Sequence, residues 1–563
     1  MDPHYYVLVE LLQRRLFRVP DYQRTYSWEK KQREDLFEDI KKLQGSAPER
    51  HHFMATIVCL KDIANTRTIG DDTFTTLKIV DGQQRLTTLI ILLKAIHLNL
   101  NIQNVVEREA ANNLAKLLVK ADNRAILLQT NHSSVQMFSE YLLNGTKPAL
   151  NTLVTSAHVN MYNAFTECEG FVREWRDGGG DIVDLLKIIK NQLGFITYEI
   201  SDEGAVYTVF EVLNSRGIEV DWLDKTKSML MGIVFERSGA AAPDHLERLH
   251  QTWSIIYTKL GTNRHYGEQA LRFAATLKKE EEPSKPLSSE DSYNFFRARA
   301  LGNPNDILHD CDWLKNVTEK LIDVYSNSRL SAVADISQAR LLAIAIHMTT
   351  LEPGQKEAAL KLWEKTTFKI YGLGRKDART KVGAYVRLAH KTFNTPLTLE
   401  QIRTELKSIS DEYPITSVIN GMKKSDLYDG WEDDLRYFLY RYEEYLCREA
   451  GIELANDIWN QIWSDTPSTT IEHIYPQKPS PNWDSILANQ QKRQVNRIGN
   501  LILLPPGLNS QSSQRPFNEK KVIYRQNQLQ MHNPVLRCRA WGRQQIEDRE
   551  TKLLEWAATE WGD

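Results

Sequence analysis

The chain has 563 residues, 41% of them hydrophobic and 26% charged, and its acidic and basic side chains nearly cancel to a formal net charge of -2. This length exceeds one ordinary hydrophobic core and predicts two to four domains, and the composition is typical of a soluble globular protein. The charge balance does not mark the whole chain as a nucleic-acid binder, so any contact with DNA has to come from local basic patches.

Cysteine usage and hydropathy predict the cellular location. The five cysteines stand far apart and form no CxxC pair, which argues against a thiolate zinc site and suits a reducing compartment. The N-terminal segment MDPHYYVLVELLQRR carries early acids and no long apolar core, so it is not typical of a signal peptide. No apolar run approaches the roughly 20 residues that cross a bilayer. These observations predict a cytoplasmic protein without a membrane partner.

Two motifs stand out in the N-terminal part. Residues 17–28, FRVPDYQRTYSW, combine four aromatic side chains with a glutamine, two arginines and a turn set by proline. Residues 51–60, HHFMATIVCL, predict a strand. Residues 77–96, LKIVDGQQRLTTLIILLKAI, predict a second strand, a tight turn at Asp81 and Gly82, and a helix whose apolar residues share one face.

The turn DGQQR is a natural seat for a phosphate group. A helix N-terminus presents free backbone N–H groups and the positive end of the helix dipole. Arg85, in the first turn, can add a bidentate contact to phosphate, and Asp81 can hold a magnesium ion or a ribose hydroxyl. No GxxxxGK[ST] stretch is present, which excludes a P-loop enzyme. From these residues alone, a capped turn with solvated side chains explains the motif equally well.

Together the two motifs resemble the ParB-like N-terminal domain of the GmrSD-type, modification-dependent restriction enzymes, and FEVLNSRGIEVDWLDKTKSML further along resembles another block of that family. The resemblance extends over roughly residues 5–235 and implies binding and hydrolysis of a nucleoside triphosphate, GTP or ATP. The residues that it places in the nucleotide cleft are Asp81, Gly82, Gln83, Gln84 and Arg85 from the second motif and Tyr22, Gln23 and Arg24 from the first. Asp81 and Arg85 are the predicted catalytic residues of this cleft. Asn214, Ser215 and Arg216 are weaker additions, because a helix cap explains them about as well.

The middle of the chain is predicted to be mostly helical. Residues 278–291, KKEEEPSKPLSSED, have charge, proline and serine but almost no apolar side chain, which predicts a linker or loop before the helical part. Residues 372–391 concentrate basic side chains that can neutralise DNA phosphates. The DNA-binding candidates there are Arg375, Lys376, Arg379 and Lys381. A solvated basic helix face is the alternative interpretation.

The C-terminal part combines a carboxylate, an imidazole and two carboxamides. TIEHIYPQ places Glu472 and His473 in a short β-rich run, and RIGNLILLPPGLN places Asn500 before an apolar run and Asn509 after it. This order predicts strand, loop, strand and helix. The set suits a single-metal phosphodiesterase, because a hard divalent cation prefers oxygen ligands and a neutral imidazole can take a proton from an attacking water. A glutamate–histidine pair by itself is more often a surface salt bridge or a structural histidine.

This segment resembles the HNH, or ββα-metal, nuclease family, in the variant with EH-x-x-P and IGNL, over about the last 110 residues. The resemblance implies that His473 is the general base and Glu472 a ligand of Mg²⁺ or Mn²⁺. It also implies that Asn500, grouped with the catalytic residues, holds the loop and orients the histidine, and that Asn509 completes the metal site. The third position is asparagine where many members have histidine, and no cysteine pairs are present for a structural zinc.

The combined prediction is an α+β multidomain protein. It has a ParB-like α/β domain at residues 1–240, a helical region at 241–450 and a ββα-metal module at 451–563. The predicted function is anti-phage defence by cleavage of modified double-stranded DNA, regulated by nucleotide hydrolysis, and a homodimer is left open. Two alternatives stay open: a ParB-like DNA-binding regulator or clamp with an inactive nuclease module, and an RNA-directed or toxin-like nuclease.

Overall fold

The computed structural model describes most of the chain. The described residues are 3–20, 23–47, 49–69, 72–120, 125–131, 134–200, 221–238, 241–303, 306–333, 335–423, 426–454, 456–481, 483 and 494–562. The chain divides into two compact units, the first made of residues 1–275 and 287–319 and the second of residues 276–286 and 320–563. The domain boundaries predicted after residues 240 and 450 stay predictions, because these units are defined by packing alone.

Strands and helices alternate in the first part of the chain, and helices dominate afterwards. The strands are β1 (Pro3–Val7), β2 (Arg15–Arg18), β3 (His52–Ile69), β4 (Asp72–Asp81), β5 (Val119–Lys120), β6 (Ala125–Ile126), β7 (Leu128–Gln129), β8 (Leu193–Ile200), β9 (Ile471–His473) and β10 (Leu501–Leu503). The α-helices up to the linker are Leu8–Leu12, Lys30–Lys41, Gln83–Asn99, Val105–Leu118, Val135–Asn144, Ser156–Asp177, Ile182–Gln192, Trp222–Arg237, Ala242–Leu260 and His265–Lys278. The later α-helices are Ser289–Gly302, Ile307–Ser326, Ser328–Ser331, Ser337–His347, Pro353–Thr367, Val382–Asn394, Leu399–Ser410, Ile415–Met422, Glu432–Ala450, Asn456–Trp463, Pro467–Thr470, Pro506–Ser512, Phe517–Tyr524, His532–Leu536 and Arg543–Glu560.

A mixed sheet runs through the first unit. Within the described residues its six strands lie in the order β1-β8-β3-β4-β2-β7. β3 pairs antiparallel with β4 and parallel with β8, and β2 pairs parallel with both β4 and β7. The predicted α+β class is therefore confirmed, with a mixed sheet. The strand predicted at residues 51–60 is confirmed as the first half of β3.

The strand–turn–helix predicted around DGQQR is confirmed. β4 ends at Asp81, Gly82 has a φ of 89°, and the helix Gln83–Asn99 follows at once. A Cβ atom on Gly82 would lie 3.2 Å from the carbonyl oxygen of Thr56. Both the left-handed backbone and the close neighbour therefore require glycine at this position.

The helix Gln83–Asn99 is buried on every side, and the single apolar face predicted for it is wrong. All residues from 86 to 96 are buried, and the helices Val105–Leu118 and Ser156–Asp177 pack against it. A helix whose sequence is apolar around its whole circumference belongs inside a domain. Burial extends to Lys94, whose pKa it lowers.

Other predictions fall on connecting segments. The segment predicted as a linker at residues 278–291 is an irregular connection between the helices that end at Lys278 and begin at Ser289. The helix predicted around Asn214, Ser215 and Arg216 lies outside the described residues. Among the residues that the structure describes, none belongs to a helix long and apolar enough to cross a membrane.

The second unit carries a small strand pair amid helices. β9 and β10 run antiparallel, with His473 opposite Leu501 and Glu472 opposite Ile502. The helix Pro506–Ser512 begins soon after β10, and Phe517–Tyr524 follows. The predicted order of strand, loop, strand and helix is confirmed. This short strand pair positions the C-terminal candidate residues.

Candidate functional site

The C-terminal candidate residues converge on one cavity. β9 is three residues long and ends at His473, so Glu472 and His473 lie where the strand gives way to a loop. A cavity of about 330 Å³ is lined by Glu472, His473 and Asn509 together with Tyr428, Lys478 and other residues. Glu472 and His473 therefore line the same cavity as Asn509, although Asn509 lies beyond the next strand in the sequence.

His473 is held as a neutral imidazole. Its side chain is 8% exposed, and burial lowers its pKa to about 4. Its Nε2 lies 3.0 Å from Oδ1 of Asn496, and the ring of Tyr428 packs edge-on with 4.6 Å between ring centroids. Within the described part of the chain, Nδ1 makes no hydrogen bond. An uncharged imidazole with one open nitrogen can accept a proton near neutral pH.

Glu472 is buried and has one oxygen occupied by protein donors. Its Oε1 accepts hydrogen bonds from Lys520 Nζ at 2.7 Å and Tyr524 Oη at 2.9 Å, and also from the hydroxyl of Ser512. Lys520 is fully buried and also donates to the carbonyl of His473 at 2.8 Å. No role for Lys520 was predicted from the sequence. Its spacing of four residues from Tyr524 nevertheless places both side chains on one face of the helix Phe517–Tyr524.

Asn509 is anchored through its amide nitrogen. Nδ2 donates to the carbonyls of Thr469 at 2.7 Å and Ile471 at 3.3 Å. With the carboxamide in this orientation, Oδ1 is an acceptor that receives no hydrogen bond from any of the described residues.

Two free oxygens at one cavity fit a hard divalent ion. No group of three or more histidine, cysteine, aspartate or glutamate side chains that could hold a metal occurs within the ranges that the structure describes. The available protein oxygens are Oε2 of Glu472 and Oδ1 of Asn509. Mg²⁺ is often held by only one or two protein groups and keeps several waters. The residues present therefore fit a Mg²⁺ or Mn²⁺ site of few protein ligands.

Asn500 is fully buried, and backbone groups and an indole N–H bind its side chain. Its Oδ1 accepts from the backbone N–H of Tyr475 at 2.8 Å and from the indole of Trp541 at 3.0 Å. Its Nδ2 donates to the carbonyls of Tyr475 at 2.9 Å and Val495 at 2.8 Å. Asn500 thus ties down the chain two residues after His473.

The two N-terminal motifs meet at the start of the helix Gln83–Asn99. Gln83 Nε2 donates to the side-chain oxygen of Gln23 at 3.1 Å and to the carbonyl of Arg24 at 3.2 Å. Gln84 accepts from the backbone N–H of Ser27 at 2.8 Å and donates to a neighbouring carbonyl. The carboxamides of Gln83 and Gln84 therefore hold residues 23–27 beside DGQQR. Tyr22 lies outside the described residues.

Charged groups gather at this helix N-terminus. Burial raises the pKa of Asp81, while the Gly82 N–H, Arg24 and Arg85 oppose the rise. Burial also lowers the pKa values of both arginines. The guanidinium of Arg85 lies 5.7 Å from the ring centroid of Trp28. Two partly desolvated cations beside one carboxylate make a site suited to an anionic ligand.

Asp224 is a charged residue near this site for which no role was predicted from the sequence. It is buried on the helix Trp222–Arg237, pairs with Arg264 at 2.6 Å and accepts a hydrogen bond from Tyr257. Its charge also acts on Arg24. Asp224 stands within the quoted block FEVLNSRGIEVDWLDKTKSML, but no short-range pattern separates it from an ordinary surface acid.

The basic residues at 375–381 lie on an exposed loop and not on a helix face, and whether they contact DNA or are only solvated stays a prediction. Arg375 and Lys381 have left-handed φ values of 48° and 56°. The amide of Gln338 holds the loop by donating to the carbonyls of Ala378 and Thr380 at 2.8 and 3.3 Å. The exposed loop cations are Arg375, Lys376 and Arg379. Lys381 is less exposed and pairs with Glu412 at 2.7 Å, and Arg375 donates to the carbonyl of Asp426 at 3.4 Å.

Comparison with protein families covers both ends of the chain. Residues 8–231 match the N-terminal domain of the GmrSD restriction endonuclease, and residues 416–556 match the C-terminal domain of GmrSD restriction endonucleases. No curated protein matches the chain. The C-terminal match begins before residue 451, so it includes Tyr428, which packs on His473. The two matches follow each other in one polypeptide and span more than half of it; the chain therefore belongs to the GmrSD restriction endonucleases and acts on DNA.

Proposed function

We propose that this restriction endonuclease hydrolyses double-stranded DNA at the C-terminal cavity, with His473 as the general base and a divalent metal ion as cofactor. The observation that carries the proposal is the shared cavity of Glu472, His473 and Asn509. The strand pair and the helix after it support assignment to the ββα-metal, or HNH, nucleases. A neutral imidazole with an open nitrogen meets the requirement of a base that works near pH 7.

Each residue at or near the cavity has a separate task in this proposal. His473 accepts a proton from the attacking water at Nδ1. Glu472 and Asn509 would hold Mg²⁺ or Mn²⁺, and such an ion would offset the charge that develops on the phosphate and the leaving oxygen. Lys520 pairs with Glu472 in a buried setting and fixes one carboxylate oxygen. Asn500 holds the loop that follows His473.

We also propose that the first unit binds and hydrolyses a nucleoside triphosphate, GTP or ATP, in a ParB-like domain. The N-terminus of the helix Gln83–Asn99 offers backbone N–H groups without intrahelical partners. Arg24 and Arg85 supply cations for phosphate, and Asp81 supplies a carboxylate for a metal ion or a ribose hydroxyl. Hydrolysis at this site would regulate cleavage of modified phage DNA by the second unit.

A direct test uses the purified chain with plain, methylated, phosphorothioate and glucosylated hydroxymethylcytosine DNA. Each DNA is incubated with GTP or ATP, with Mg²⁺ or Mn²⁺, and the cuts and released phosphate are both scored. We expect cutting of one modified DNA, and we expect EDTA to abolish it. Cutting that persists in EDTA contradicts the metal site. Tight DNA binding without any cut favours the DNA clamp with an inactive nuclease, and cleavage of RNA alone favours the RNA-directed nuclease.

The loop cations are expected to contact the DNA backbone. Changing Arg375, Lys376 and Arg379 together to alanine removes up to three phosphate contacts. Each phosphate contact contributes about 0.9 to the slope of log affinity against log salt concentration, so the slope should fall by about 3. Binding titrations at several salt concentrations measure this slope. A double alanine variant of the exposed Arg403 and Lys407 is the control, and an unchanged slope in the triple variant removes the loop from the DNA interface.

A further inference from the structure

Two side chains connect the surface of the second unit to Nε2 of His473. Asn496 Oδ1 lies 3.0 Å from that nitrogen, and Asn496 Nδ2 donates to Oδ2 of Asp426 at 2.9 Å. The backbone is tied at the same place, because the N–H of Leu427 donates to the carbonyl of Asn496 at 3.0 Å. Asp426, Asn496 and His473 therefore form a continuous relay of hydrogen bonds.

The carboxylate of Asp426 is fixed by its own chain. Its Oδ1 accepts the backbone N–H groups of Tyr428 at 3.0 Å and Asp429 at 3.3 Å. Oδ2 is thereby directed to Asn496, and the ring of Tyr428 reaches His473 from the same segment. Residues 426–428 thus contact the imidazole both directly and through Asn496.

The relay determines which imidazole nitrogen carries the proton. An ionised carboxylate only accepts hydrogen bonds, so Asn496 must turn its NH₂ group toward Asp426 and its oxygen toward His473. That oxygen requires a donor, which places the proton of the neutral imidazole on Nε2. Gln477 Nε2 lies 3.4 Å from the same nitrogen, a longer contact that competes poorly with Asn496. Nδ1 is then the nitrogen that can accept a proton.

We propose that Asp426 and Asn496 are positioning residues that select the tautomer of His473 and so make Nδ1 the base. The proposal rests on the proposed role of His473 in cleavage. It adds a residue from outside the segment 451–563 in which the nuclease module was predicted. Asp426 acts through Asn496 and need not touch the DNA. In other enzymes, a carboxylate or amide that orients a catalytic histidine has its effect through the same choice of tautomer.

The substitution Asp426→Asn tests the relay because it preserves shape and reverses polarity. The introduced carboxamide oxygen can still accept from the backbone of Tyr428 and Asp429, so the local turn is kept. Its NH₂ group would face the NH₂ group of Asn496, and the carboxamide of Asn496 would turn over. Nε2 of His473 would then accept a hydrogen bond, and the proton would move to Nδ1, where it blocks the base.

We expect kcat for DNA cleavage to fall by about 10²-fold or more in Asp426→Asn, because a general base contributes a factor of about this size. KM for DNA should be unchanged. The double variant Asp426→Asn with Asn496→Asp restores the order of donor and acceptor and should recover kcat to within about tenfold of the unaltered protein. The exposed neighbour Asp429 provides the control Asp429→Asn, which should cut normally. Thermal unfolding of each variant checks that the second unit is intact.

The outcomes separate the relay from the proposed function. If His473→Ala is inactive but Asp426→Asn keeps its kcat, the relay is overturned and the base remains. A loss in Asp426→Asn that the double variant does not recover also overturns the relay, since it then reflects lost packing. If His473→Ala itself cuts normally, both the role of His473 as general base and the relay are contradicted.

Discussion

His473→Ala is expected to abolish DNA cleavage while nucleotide hydrolysis continues at its normal rate. The imidazole is neutral and buried and lines the cavity, and a positioned base of the kind proposed here typically contributes about 10²–10⁴-fold to the rate. The residues proposed for nucleotide hydrolysis belong to the first unit, so their chemistry does not need His473. Plasmid nicking in Mg²⁺ or Mn²⁺ measures the loss of cleavage. Phosphate release from the same preparation measures whether nucleotide hydrolysis continues.

A matched histidine substitution controls for this result. His309 is exposed and belongs to the first unit, so His309→Ala should leave both activities unchanged. Because His473 also packs on Tyr428, thermal unfolding has to show that the second unit of His473→Ala is folded. Nicking at the normal rate by the folded variant would remove His473 as the base.

Arg85→Ala is expected to lower nucleotide hydrolysis by about 10²–10³-fold, the usual loss when one preorganised donor to a developing charge is removed. Arg85 lies in the first turn of the helix Gln83–Asn99, close enough to Asp81 for their charges to interact. Its guanidinium is partly desolvated, which strengthens its attraction for phosphate. Phosphate release from GTP and ATP measures the loss, and the unfolding transition of the second unit should not move.

Two further substitutions separate chemistry from folding at this site. Arg50 is exposed in the same unit, so Arg50→Ala should hydrolyse normally. Gln84→Ala removes both hydrogen bonds to residues 25–27 and should destabilise the first unit by about 1–3 kcal/mol, since backbone groups lose their partners. If Arg85→Ala hydrolyses nucleotide at the normal rate, the nucleotide site is elsewhere.

The local backbone of both sites could be predicted from the sequence. Asp81 and Gly82 after an apolar run predicted a strand that turns into a helix, and only glycine fits the observed φ of 89°. Two short apolar runs around TIEHIYPQ and IGNL predicted two strands, which the structure shows as the antiparallel pair β9–β10. These features follow from backbone preferences and side-chain periodicity, which act over a few residues.

Burial was predicted less well. The helix Gln83–Asn99 was expected to present one apolar face, although its sequence is apolar around nearly the whole circumference. Which sides become covered depends on the helices that pack on it later in the chain. The hydrogen bonds of Gln83 and Gln84 could not be predicted for the same reason, because their partners at residues 23–27 come from a distant segment.

The sequence by itself determined where the turns, strands and candidate side chains of this restriction endonuclease lie along the chain. Only the tertiary structure decided that Lys520 neutralises Glu472 and that Asp426 acts on His473 through Asn496. The physical reason is that backbone geometry is set by neighbouring residues, whereas the partner of a buried charge or imidazole is set by packing between distant segments. Such a partner need only offer a donor or an acceptor at the right place, so no spacing in the sequence marks it.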